Sequence, residues 1–93
     1  MQVEREYAWT EAGKASAFDH GVAESEVIEA LYSPQRIENE IGPLLLAVAG
    51  LADTSRVIVV LCERVASVPS FFAITAVRPA TPEEIKLWVE GTR

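Results

Sequence analysis

The sequence predicts one α+β domain: an antiparallel sheet of three to five strands with two N-terminal helices and one C-terminal helix packed on it, in the order β-α-α-β-β-β-β-α. Three observations carry this. Apolar residues recur at helical spacing in "VAESEVIEALYSP" and "PEEIKLWVEG"; between those segments lie the apolar runs "PLLLAVAG", "RVIVVLCER" and "FFAITAVR"; and 93 residues supply the interior of a single core. With 49% hydrophobic residues that core is well filled, and 24% charged residues with five prolines and five glycines are ordinary for a folded chain.

"VEREYAW" reads as a short edge strand with Val3, Arg5 and Tyr7 on one side. "WTEAGKASAFDHG" is a helix: Thr10 caps the orphan amides, Glu11 suits the positive end, and Gly21 takes the left-handed stop, while Gly13 costs about 1 kcal/mol relative to alanine. In the second helix Val27, Ile28, Leu31 and Tyr32 form an apolar stripe, Glu24, Glu26 and Glu29 form the solvated face, and Pro34 ends the element. "RIENE" is a weak alternating strand. "PLLLAVAG" and "RVIVVLCER" pair antiparallel across the polar loop "LADTS", and "FFAITAVR" follows the connection "VASVPS". The last helix has the best-marked start: Thr81 as N-cap, Pro82 in the first turn and Glu84 completing a capping box. Its apolar residues Ile85, Trp88 and Val89 must lie on the sheet or on a partner, and all the helices are expected on one face.

Charge and composition narrow the function classes. Fourteen acidic residues against eight basic ones leave a net charge of −6, which opposes the counterion-releasing binding of nucleic acids and favours a basic protein partner. The longest uncharged run, Ile41 to Ala52, is shorter than the roughly 20 residues of a membrane-spanning helix. The charged N-terminus "MQVEREY" does not resemble a signal peptide, so a cytoplasmic location is expected, with no membrane partner. Cys62 is the only cysteine, which excludes an internal disulfide and any multi-thiolate metal site; it is expected in the core. There is no phosphate loop, no paired metal-ligand spacing and no nucleophile elbow, so no cofactor or metal is expected.

The residues able to carry chemistry are few. His20 ends the first helix, where it fits the helix dipole as a structural residue or serves as a general acid or base. Glu63 and Arg64 end the most apolar strand and, being consecutive, point to opposite faces. Simple hairpin pairing sets Arg78 against Arg56 or Val57, so an Arg64–Arg78 cluster does not follow from it.

Taken together, "YAWTEAGKASAFDHGVAESEV", "RVIVVLCER", "ITAVRPAT" and "PEEIKLWVEG" resemble, in order and spacing, the BrnT family of bacterial type II toxin–antitoxin toxins, which have a RelE-like ribonuclease fold. The resemblance implies metal-independent cleavage of RNA, neutralised by a ribbon-helix-helix antitoxin. It assigns His20, Glu63, Arg64 and Arg78 to proton transfer and to the pentacovalent phosphate, which arginine serves by bidentate contact. The chain departs from the family pattern where cations are usual. Asp19 precedes His20, and Phe71, Phe72 and Ala73 open the strand that leads to Arg78. That is the direction expected of a domain that has lost RNA affinity and kept its fold. The alternative is a non-catalytic acidic interaction module with the same fold, which binds a basic protein or forms a homodimer through Phe71, Phe72 and Trp88.

Overall fold

The structure, a computed structural model, describes residues 5–65, 67–68 and 70–92. Its elements are β1 (Glu6–Trp9), α1 (Glu11–Asp19), α2 (Glu24–Leu31), β2 (Ile37–Ile41), β3 (Leu45–Leu51), β4 (Val57–Arg64), β5 (Phe71–Pro79) and α3 (Pro82–Gly91), in the predicted order. Val3 and part of "VASVPS" lie outside the described residues. No helix among those residues is long and apolar enough to cross a membrane.

The five strands form one sheet in the order β1-β5-β4-β3-β2. β2 to β5 make an antiparallel meander, but β1 joins β5 in parallel, with Tyr7 opposite Phe72 and Trp9 opposite Ile74. No turn links β1 to β5, so nothing in the connection forces them to run in opposite directions.

Alternation assigns each strand residue to a face. Leu46, Val48, Ile58, Val60, Cys62, Phe72, Ile74 and Val77 point to one side, where they are buried against Ala17, Val22, Val27, Ala30 and Leu31 of the α1–α2 layer. Burial pushes the Cys62 thiol up to about 12, as befits a core residue. Ile28 and Tyr32, expected in the apolar stripe of α2, are instead exposed. Two glycines bring the helices close. A Cβ on Gly13 would stand 2.2 Å from the carbonyl oxygen of Ile74, and one on Gly50 2.0 Å from that of Ala30. Gly13 is therefore more than a weak point of α1, because its missing side chain lets α1 lie directly on β5.

α1 also completes the hydrogen bonding of β5. The β1 partnership ends at Ile74, so β5 is an edge strand beyond it. Thr10 Oγ1 donates to the Ile74 carbonyl at 2.6 Å while accepting from Gly13 N. Ser16 Oγ accepts from Val77 N and donates to Val77 O, each at 2.9 Å. Ser16→Ala leaves both backbone groups without their partner and is expected to cost about 1–3 kcal/mol, measured by urea unfolding.

β5 carries one extra residue relative to β4. Arg64, Glu63 and Cys62 pair with Phe72, Ala73 and Ile74, whereas Leu61, Val60 and Val59 pair with Ala76, Val77 and Arg78, so Thr75 is the bulge. Its hydroxyl donates to Leu61 O at 3.1 Å. Arg78 thus sits opposite Val59, not Arg56 or Val57 as simple hairpin counting expects. Without the bulge Arg78 would oppose Ile58 and point into the core; with it, Val77 does, and Arg78 turns to the other face.

That second face carries α3, contrary to the expectation of helices on one side only. Glu84 of α3 binds Arg78, and Gly91 stands over the side chain of Ile37. Trp88 Nε1 donates to Gln35 O at 2.8 Å. α1 and α2 fill the opposite face, so the chain after β5 finds apolar surface only here. No residue of α3 is fully buried.

Candidate functional site

The four residues singled out from the sequence occupy separate places. His20 is the exposed C-cap of α1, its Nδ1 2.8 Å from the Ser16 carbonyl, a contact that makes Nδ1 the protonated nitrogen of the neutral ring. Glu63 is exposed on the second face, and Arg64 leaves β4 toward the α1–α2 side. Arg78 shares the second face with Glu63, but its cross-strand partner Val59 lies four residues from Glu63, about 13 Å of strand. Among the described residues, no two of the four are hydrogen-bonded to each other.

The electrostatics of the cations are specific. Arg78 makes a two-pronged contact with Glu84, with Nη2 to Oε2 at 2.7 Å, and the same carboxylate accepts from Thr81 N at 2.9 Å. Arg78 foremost, with the capping residue, holds the Glu84 carboxyl down at about 2. The unexplained charge at the end of β5 is therefore an anchor for the start of α3. Arg64 lies over the Phe72 ring, 5.5 Å from its centroid, with Nη2 3.6 Å from Glu40 and its Nε buried without a hydrogen-bond partner among the described residues. Arg5 crosses the same ring from the β1 edge to reach Glu38 on β2, which also receives Arg36 at 3.1 Å. Arg56 forks onto Glu26. All five arginines among the described residues are thus paired with carboxylates.

Glu26 corrects the solvated face expected of α2: it is only 6% exposed. Its oxygens accept from Arg56 Nε at 2.9 Å, Arg56 Nη2 at 2.7 Å, Thr54 Oγ1 at 2.6 Å and Ala23 N at 3.1 Å. Arg56 also donates to Gly21 O. A carboxylate in the first turn of a helix ordinarily faces water; here the β3–β4 loop folds over it. The sequence clue was a lone arginine at the end of the loop "LADTS", which needs a counter-charge when the hairpin packs on a helix.

Around Glu63 the second face is apolar. Beyond the Arg78–Val59–Ala49–Ile37 row, where α3 lies, come the rows Ala76–Leu61–Ala47–Asn39 and Ala73–Glu63–Leu45–Ile41. Leu45, Ala47, Leu61, Ala73 and Ala76 are half-buried and Ile41 is 48% exposed. The clue to this surface was legible too: β3 and β4 are apolar in both phases, the pattern of strands covered on both faces. Phe72, expected as a contact for self-association, is buried between Arg64 and Tyr7 and is unavailable for one. No protein-family model matches the chain, and no curated protein matches it.

Proposed function

We propose that the chain is a toxin-like component of a bacterial type II toxin–antitoxin system that works in the cytoplasm as an acidic protein-interaction module and not as a ribonuclease. The observation that carries this reading is the pairing of all five described arginines with carboxylates of the same fold. Metal-independent RNA cleavage needs cations at the phosphate beside an acid and a base. Here Arg78 is occupied by Glu84, Glu63 stands among apolar side chains, and His20 lies on α1 at the opposite face of the sheet. The net charge of −6 adds long-range repulsion of RNA. A basic protein of the ribbon-helix-helix antitoxin type is the partner that this charge favours.

The ribonuclease reading retains one support, the loose 3.6 Å pairing of Arg64 with Glu40. Incubation with total RNA at low salt separates the two. The wild-type protein and its Arg64→Ala and Arg78→Ala variants are all expected to leave RNA intact. Degradation by the wild type that either substitution abolishes would reinstate the enzyme.

A further inference from the structure

We propose that the part of the second sheet face left uncovered by α3 is a lane for one helix of a partner protein, lying beside α3 and setting a lysine or arginine over Glu63. The inference rests on the protein-binding reading above and names the partner's chemistry.

The spacing fits one helix. Same-face residues along β4 are about 6.7 Å apart, so the Leu61 row lies about 7 Å and the Glu63 row about 13 Å from the Val59 row under α3. Packed helices sit 8–10 Å apart, which sets the axis of a neighbour to α3 between those two rows. On the other face the same sheet already carries two helices, α1 and α2.

The surface fits an apolar helix with one cation. Ala47, Ala73 and Ala76 make a low floor that lets a backbone approach, and Leu45, Leu61 and Ile41 supply apolar contact. Ile85 and Val89, each 39% exposed, form one flank of α3. Glu63 is the carboxylate in these two rows, and an apolar occupant would desolvate it unless it brought a positive charge. A second copy of this chain is a poorer occupant: its three helices are already packed on its own sheet, and it brings a further charge of −6.

The test uses two labelled helical peptides of about 18 residues, roughly 27 Å long, built of leucine and alanine with a glutamine outer face. They differ only in a lysine or a glutamate at the centre of the apolar stripe. By fluorescence anisotropy the lysine peptide is expected to bind the wild-type protein about tenfold more tightly than the glutamate peptide. Glu63→Lys, at an exposed position whose side chain makes no hydrogen bond or ion pair among the described residues, is expected to invert that preference, and Phe18→Ala on the α1–α2 side to leave it unchanged. Absence of binding, or a lysine preference that survives Glu63→Lys, overturns the proposal. So does a wild-type dimer in sedimentation that Leu61→Glu dissociates, which would give the lane to a second copy. Each of these leaves the RNA assay unaffected, so failure of the lane is distinct from failure of the protein-binding reading.

Discussion

Gly50→Ala is expected to destabilise the domain by about 3 kcal/mol or more, at the upper end of overpacking costs, and to lower its midpoint of thermal unfolding by more than about 12 °C. The added methyl would stand 2.0 Å from the Ala30 carbonyl oxygen, 2.7 Å from its carbon and 2.9 Å from the Ala30 Cα. All three are backbone atoms, so no rotamer change relieves the clash; α2 must lift from β3 and take Val27, Ala30 and Leu31 with it. Gly13→Ala gives a sharper test because two effects oppose each other. Helix propensity alone raises stability by about 1 kcal/mol, whereas contact at 2.2 Å with the Ile74 carbonyl oxygen lowers it by more. A lower midpoint for Gly13→Ala by circular dichroism is the expected result. A higher one would show that α1 does not lie on β5 at this distance.

These glycines mark where reading along the chain stops short. The helix ends of α1 and the start of α3 were legible: Thr10, Thr81, Pro82, Glu84 and Gly21 mark them by side-chain capping or backbone freedom, and the structure uses each in that way. The β3–β4 hairpin followed from two apolar runs and a short polar loop. What remained hidden depends on residues far apart in sequence. Gly13 reads as a helix weakness until Ile74, 61 positions later, is set beneath it. The face of Arg78 depends on the bulge at Thr75, a single residue of register that no periodicity announces.

The candidate site shows the same division. Adjacency alone sent Glu63 and Arg64 to opposite faces, and the structure keeps them there. The pairing of Arg78 with Glu84, six residues away, lay within one local segment, yet the capping box accounted for Glu84 by itself. One carboxylate serves both purposes, closing the helix start and neutralising the arginine. β3 and β4 are apolar in both phases, a sign of a covered second face that the expectation of helices on one side passed over, and how far a ten-residue helix reaches across that face is a matter of packing, not of pattern.

Glu26→Gln is expected to lower stability by about 2–3 kcal/mol at pH 7 and by progressively less as the pH falls. Glutamine keeps the shape of the side chain and an acceptor oxygen, and removes the charge that Arg56 grips through Nε and Nη2. The hydrogen bonds from Arg56, then those from Thr54 and Ala23, hold the Glu26 carboxyl down at about 2 against an ordinary 4.5. Because the folded value is depressed, the stabilisation is complete above about pH 4.5 and is lost as the pH falls through that value toward about 2, where the wild-type side chain takes up a proton. Glutamine mimics that protonated state, so the gap between wild type and variant must close over this window, whatever the other carboxylates of the chain do to both. Urea unfolding midpoints at pH 7, pH 4 and the lowest pH at which both proteins fold measure the gap. Arg56→Ala provides the complementary arm: it leaves the carboxylate buried with only Thr54 and Ala23, and frees the Gly21 carbonyl that ties the α1–α2 turn to the hairpin. Its destabilisation at pH 7 is expected to match or exceed that of Glu26→Gln. A gap between wild type and Glu26→Gln that stays constant from pH 7 to the acid limit would show that Glu26 titrates as a solvated helix carboxylate, and that the loop does not close over α2.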